Sequence, residues 1–270
     1  MAEPIDPEER SGVLEPANLA RFAATWHAPH PGLANVVETY WHVAWSLGDE
    51  VVEQRIIEAP AVTVSVEHGD VPWPLVRTTP GPRAWTRTIR GAGEVLGIRL
   101  RPAGLAVVSD VPIGAPGTTA VDAEADARLH AILATVAAAD SLDGRLRAAD
   151  AALLAATADR VPTREGLTAN AAVAAMSHAV RARSSGVLAG SSDRAVQRAL
   201  ASTVGMGPKA VARRIRLQEA ARLLALPDAT PADVASALGY ADQAHLTNDL
   251  RTVAGVTPAA YVRSLRALAG

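Results

Sequence analysis

The segment at residues 239–258, GYADQAHLTNDLRTVAGVTP, reads as a turn, a helix and a second turn. Asp242 stands where a helix N-cap belongs, Leu246, Leu250 and Val253 recur at helical spacing, and Gly255 can end the helix in a left-handed conformation. Directly upstream a shorter helix is written, with Thr230 as N-cap, Pro231 at its first position, Asp233 in its first turn and Gly239 at its close. A short helix, a tight glycine turn and a longer helix make a helix-turn-helix unit, whose second helix enters the major groove of DNA. Gln243, Ala244, Thr247, Asn248 and Arg251 lie off the apolar stripe, on the face such a helix presents.

The same layout occurs upstream in SSGVLAGSSDRAVQRALASTVGMGP. Gly190 makes the turn, Ser192 or Asp193 caps, and Val196 and Leu200 are expected to be buried. Its exposed face carries Arg194, Gln197 and Arg198, side chains suited to paired hydrogen bonds with guanine and adenine edges. Between the units PKAVARRIRLQEAARLLA is expected to run as one amphipathic helix of roughly 27 Å, enough to hold two reading helices about one DNA turn apart. Arg213, Arg214 and Arg216 on it are either phosphate clamps or a solvated helix face.

The order AGSSDRAVQRAL, RRIRLQEAARLL, DVASALGYADQAHLTNDLR and GVTPAAYVR resembles the double helix-turn-helix domain of the AraC/XylS-family transcription regulators. The resemblance covers residues from about 184 to 266. It implies that Arg194, Gln197 and Arg198 sit on the first reading helix and Gln243, Ala244 and Asn248 on the second. Departures stand in both units: the family usually has aromatics at Leu200 in the first and at Leu250 in the second, and arginine in place of Asn248, and Asp249 is expected to repel phosphate. Gln243 and Asn248 are as suited to phosphate or solvent as to bases, and Arg251 to backbone contact. The front part, in WHVAW and WTRTIRGAGEVLGIRLRP, is similar to an uncharacterised domain that precedes this module in actinobacterial regulators.

Charge is divided along the chain in the same sense. Of 26 Lys+Arg and 28 Asp+Glu, 12 and 6 fall from Asn170 onward, leaving 14 and 22 before it, so a net +6 module follows a net −8 front. The chain has no cysteine, which removes disulfides, thiolate nucleophiles and the alkyl-acceptor chemistry of some enzymes that carry a related module. No run of about 18 apolar residues is present, and the acidic start MAEPIDPEERSG is unlike a secretion signal, so the cytoplasm is expected. His27 and His30 in HAPH have no further ligand at helical spacing, and no GxSxG, P-loop or HExxH occurs, so neither a metal, a cofactor nor an enzyme mechanism is expected.

Upstream of the module the period shortens to two. In AVTVSVEHGD, Val62, Val64 and Val66 alternate with Thr63, Ser65 and Glu67, the pattern of a half-buried strand. WTRTIR and VLGIRLRP resume it around GAGE, taken as a hairpin turn in preference to a phosphate cradle. After Pro116, Leu129, Ile132, Leu133 and Val136 mark one helix and Leu142, Leu146, Leu153 and Leu154 another. Seven of the nine aromatics fall before residue 86 and are either core or the wall of a ligand pocket. For a pocket the candidates are Trp41, Trp45 and Trp85, with Arg99 and Arg101 as anion partners.

The expected fold is α+β: a small N-terminal antiparallel sheet or barrel with helices, then an all-α double helix-turn-helix. The expected divisions are a disordered lead at 1–16, a sensor or dimerisation domain at 17–160, a polar linker at 161–170 and a DNA-binding domain at 171–270. The function these features imply is sequence-specific transcription regulation, as activator or repressor. Its partners would be a double-stranded operator, a small-molecule effector, RNA polymerase in the case of an activator, and a second copy in a homodimer. The alternative is a ligand- or partner-binding protein with weakened, non-specific DNA binding.

Overall fold

Alternating apolar residues pair into one antiparallel sheet in the computed structural model, which describes residues 12–182 and 194–267. The strands are β1 (Phe22–His27), β2 (Val37–Ile56), β3 (Thr63–Gly69), β4 (Leu75–Thr79), β5 (Trp85–Leu100) and β6 (Gly117–Ala120). Their order is β1-β2-β5-β3-β4-β6, so β1 and β6 are edges and the sheet is open, not a closed barrel. A short α1 (Leu105–Val108) lies between β5 and β6, and after β6 come α2 (Ala127–Ala137), α3 (Leu142–Asp159), α4 (Arg164–Arg181), α5 (Arg194–Val204), α6 (Pro208–Leu224), α7 (Pro231–Ala237), α8 (Gln243–Ala254) and α9 (Pro258–Arg266). The α+β reading, sheet first and helices last, is what the chain adopts.

One face of the sheet packs on α2 and α3. Tyr40, Val64, Val66, Leu96, Ile98 and Leu100 join Leu129, Ile132, Leu133, Val136 and Leu153 in one core. On α3 the buried stripe is Arg145, Ala149, Leu153 and Ala156, while Leu142, Leu146 and Leu154 only flank it. Arg145 is accepted there because its Nη1 lies 2.5 Å from Glu94, which also meets the His42 ring at 2.9 Å. Burial opposes the Glu94 charge, but Arg145 and His42 together hold its carboxyl below the ordinary range. The Tyr40 hydroxyl donates to Asp150 on α3 at 2.7 Å.

Three sequence expectations are corrected in the sheet. GAGE is no turn: β5 runs straight through it, and Gly91, at φ 58°, forms an irregularity where the register to β2 shifts between Ser46 and Val51. Ser65 and Glu67 are not on a solvated face, being 5% and 4% exposed; Glu67 accepts from Ser65 at 3.1 Å and from Arg87 at 2.7 Å. Residues 12–16 are no disordered lead: Leu14 is 2% exposed, its N–H donates to the Arg55 carbonyl at 2.9 Å, and the Tyr261 hydroxyl of α9 donates to the Val13 carbonyl at 2.9 Å. Residues 1–11 lie outside the described part.

The segment expected as a linker starts a helix instead. Thr163 caps α4 by accepting from the Gly166 N–H at 3.0 Å, which turns a polar Pro- and Gly-bearing stretch into the first two turns of α4. Asn170 ties these turns to the sheet unit, accepting from the Ala103 N–H at 3.0 Å and donating to the Asn35 carbonyl at 2.9 Å. Further along, Met176 and Val180 enter a second core with Leu200, Val211, Leu217, Leu224, Leu246 and Leu250. That core also takes in Leu14 and Ile57, so the two halves share apolar residues.

Candidate nucleic-acid interface

Side-chain caps fix where the last three helices begin. Thr230 accepts from the Asp233 N–H at 3.2 Å to start α7, and Asp242 accepts from the His245 N–H at 2.7 Å to start α8. Gly255, at φ 73°, closes α8, and Gly239, at φ 69°, makes the turn between α7 and α8. Leu246, Leu250 and Val253 are buried as the spacing requires. The first unit shows the same division on α5, where Leu200 and Val204 are fully buried and Val196 is half-buried against them. The turn and cap expected at Gly190 and at Ser192 or Asp193 lie outside the described residues.

Arg194, Gln197 and Arg198 are exposed on α5, and Gln243, Ala244, Asn248 and Arg251 on α8, with Thr247 half-buried beside them. Among the described residues the side chains of Arg194, Gln197 and Arg198 find no hydrogen-bond or ion-pair partner. The first helix thus offers two guanidinium groups and an amide, and the second offers two amides, a hydroxyl and one guanidinium.

The connector α6 behaves differently from a one-faced amphipathic helix. Val211, Ala212, Ile215, Leu217, Ala220, Ala221, Leu223 and Leu224 are all buried, because the helix-turn-helix units and the sheet unit both lean on it. Its arginines have separate fates. Arg214 is 3% exposed and cannot clamp phosphate here: its Nη1 donates to the Glu58 carbonyl at 3.0 Å, and its Nη2 to the carbonyls of Arg83, at 3.0 Å, and Gly81. Arg213 pairs with Asp249 at 2.9 Å, and Arg216 lies over the Tyr240 ring at 5.1 Å. Asp249 is 8% exposed and turned toward α6, so it does not stand against DNA phosphate as expected. It holds α8 to the connector.

Further contacts seat the module on the sheet unit. Gln218 donates to the Ile57 carbonyl at 3.1 Å, the Ala84 N–H to the Val253 carbonyl at 2.7 Å, and Arg55 reaches the Ala254 carbonyl at 3.4 Å. The last two act at the C-terminal end of α8, where carbonyls lack helical partners and a positive charge is favourable. Glu58, beside Arg214 at 3.9 Å, is pushed up to about 7 by burial, with Arg214 and Arg99 opposing.

The expected pocket residues divide. Arg99 and Arg101 line a cleft of about 610 Å³ between the outward face of the sheet and helices α4 and α6, with Trp26 on its wall. Trp41, Trp45 and Trp85 do not line it. The Trp45 indole belongs to a small separate core with Phe22, Leu47, Val52 and Val95 and donates to the Arg90 carbonyl at 3.0 Å, while Trp41 packs against that core. A Cβ on Gly97 would fall inside the Trp41 indole, so glycine there lets the ring lie on β5. Trp85 donates to the Thr118 hydroxyl at 3.0 Å near β6. His30 caps the turn at Pro31–Leu33 and His27 meets Thr25 at 3.0 Å. Among the described residues no helix is long and apolar enough to cross a membrane.

Among the described residues α7, the Gly239 turn and α8 make one helix-turn-helix unit, which the connector α6 joins to α5. Residues 188–264 match the helix-turn-helix domain family, here in its AraC-type arrangement, and residues 25–121 match a domain family of unknown function, DUF6597. The chain thus carries a stretch similar to a domain of unknown function, followed by one similar to a helix-turn-helix domain, which supports DNA binding by its C-terminal part. A solved structure of the apo form of a ToxT variant from Vibrio cholerae aligns with 91% of this chain and 98% of that one, at 9% identity and a TM-score of 0.34. Comparison with the curated proteins finds no match.

Proposed function

We propose that this protein is a one-component, sequence-specific regulator of transcription in which α5 and α8 read successive major grooves of an operator. The observation that carries this is the exposed set Arg194, Gln197 and Arg198, opposite the buried Leu200 and Val204 on one capped module. The first unit supplies most of the base reading, and the second, with Asn248 and a single guanidinium at Arg251, mainly sets position on the backbone. The sheet unit, residues 17–160, acts as sensor, as dimerisation surface or as both, and residues 171–270 act as the DNA-binding unit, with α4 lying across the junction. The setting is the cytoplasm, with RNA polymerase as a further partner if the regulator activates.

Selection from a random duplex library with the full-length chain at physiological salt tests this reading. A recovered motif spanning two major grooves supports a bipartite reader, and a motif confined to one groove limits base reading to one unit. Affinity without any enriched motif sinks sequence-specific regulation in favour of a ligand- or partner-binding protein with incidental DNA contact. Binding to the recovered operator should fall steeply with salt, because each neutralised phosphate releases counterions.

A further inference from the structure

We infer that Asp249 with Arg213, and Tyr240 with Arg216, are positioning residues that set the spacing between the two half-sites this protein accepts on DNA. The inference rests on the proposal that α5 and α8 read successive grooves, and it names what fixes the distance between them. α8 is tied to α6 at two points. Asp249, 8% exposed, pairs with Arg213 at 2.9 Å. One turn earlier the His245 ring stands edge-on to Tyr240, with centroids 5.1 Å apart and planes at 89°, and the Arg216 guanidinium lies over the same Tyr240 ring at 5.1 Å. Arg213 and Arg216 are three residues apart on α6 and so are neighbours on one face. Two attachments a turn apart fix the angle between the helices, where a single one would leave a pivot. α5 is seated on the same core through Ala199, Leu200 and Val204, so the angle of α8 on α6 decides how far apart the two exposed sets of side chains stand.

Neither attachment is needed to bury α8. Leu246, Leu250 and Val253 already do that, but apolar contact is non-directional and leaves a crossing angle loosely determined. A buried carboxylate on that stripe costs stability unless it is paired, and an apolar pair of similar volume is often as stable or more so. What the ion pair adds is direction, because charged hydrogen-bonding groups hold a short distance and a preferred alignment. The far end of α8 is held separately, by the Ala84 N–H on the Val253 carbonyl at 2.7 Å and by Arg55 on the Ala254 carbonyl at 3.4 Å. Loss of the two attachments would therefore let the N-terminal half of α8, which carries Gln243, Ala244 and Thr247, swing about its C-terminal end. At 1.5 Å per residue the lever from Gln243 to Ala254 is about 16 Å, so a tilt of about 12° along the DNA moves its tip by about 3.4 Å, one base-pair step.

The test takes the operator recovered by library selection with the full-length chain, and derivatives with one base pair added or removed between the half-sites, and measures affinity by fluorescence titration. Either change should cost the parent about tenfold or more, comparable to a mismatched base pair, and should cost Arg213→Met with Asp249→Leu less than about threefold. The double variant should still select the same bases within each half-site. Arg213→Lys, which keeps a charge for Asp249, should retain the strict spacing of the parent. Arg216→Gln, at a half-buried position, should relax it and guards against a double variant that does not fold. A parent indifferent to spacing, a double variant and an Arg216 variant both as strict as the parent, or a uniform loss at every spacing with a lowered salt slope, which would make Arg213 a phosphate contact, would each overturn the inference. Selection with the parent separates the two proposals. A motif confined to one groove removes the bipartite reader and the positioning role with it, whereas a two-groove motif whose spacing the variants leave unchanged removes the positioning role alone.

Discussion

Replacing Arg214 by methionine keeps an aliphatic stem of similar length and removes the guanidinium that reaches three main-chain carbonyls of the sheet unit. A hydrogen bond to a charged group contributes about 1.5–3 kcal/mol, and breaking a buried charged network costs about 3–5 kcal/mol. The variant is also relieved of burying a guanidinium, so the net loss should be near the lower bound, about 3 kcal/mol. At roughly 2–4 °C per kcal/mol for a chain of this size, the melting temperature should fall by roughly 6–12 °C. Thermal unfolding measures that loss, and a salt titration on the selected operator decides what the loss means. A phosphate clamp removed would lower the slope of log affinity against log salt by about one. An interdomain latch removed should leave the slope unchanged, whereas Arg198→Ala or Arg251→Ala should change it. A melting temperature within about 2 °C of the parent, or a slope reduced by about one, would refute the latch.

On the same operator Arg194→Ala and Arg198→Ala should each cost about 1–3 kcal/mol and relax base preference, and Asn248→Ala should cost less; a fluorescence titration ranking Asn248 above both arginines contradicts the division between the units. Asp249→Asn should not tighten DNA binding, since the carboxylate faces Arg213, and should lower the melting temperature; tighter binding would return Asp249 to the phosphate. Because burial holds Glu58 at about 7 in the fold, above its unfolded value, its contribution is undiminished at acid pH and is lost as pH rises toward 7. Glu58→Gln should therefore gain up to about 3 kcal/mol above pH 7 and nothing near pH 4, from a melting series across pH; a loss at pH 8 would mean that Arg214 outweighs desolvation. Gly97→Ala forces the Trp41 indole off β5 and should cost about 1–3 kcal/mol with an altered near-ultraviolet circular dichroism spectrum, and an unchanged spectrum would speak against that packing.

What was legible in the sequence was local. Thr230, Asp242 and Gly255 announce helix ends because a cap needs only its own few residues, and the stripe Leu246, Leu250, Val253 declares a buried face without knowing what covers it. The connector shows where local reading fails. Arg213, Arg214 and Arg216 look equivalent in a string, yet the 100° step between residues sends them to an acidic partner, to buried carbonyls and to an aromatic face. A signal was present: Arg214 falls in phase with Val211, Leu217 and Ala221, and Asp249 sits between Leu246 and Val253 on the stripe of α8. A charge in phase with an apolar stripe points to a partner across the interface. The glycines of GAGE carried no such signal, because a hairpin and a strand irregularity ask for the same residue. Which tryptophan would reach the cleft depended on the course of a whole strand, and alternation alone gives the side, not the neighbour.

The seating of the module on the sheet unit has a consequence for how such a chain can change. Arg214, Gln218 and Tyr261 all donate to backbone carbonyls, and Ala84 offers its own N–H to Val253. On the sheet side these contacts are blind to side-chain identity, since any residue that keeps the path of the chain presents the same carbonyl. At these contacts the sheet unit can drift in sequence while the module keeps its grip, provided that Leu14, Ile57 and Arg55, whose side chains also reach the module, are kept. The donors on α6 and α9 have no such latitude. Side-chain drift in the sheet unit against a constant back is the kind of divergence this joint permits.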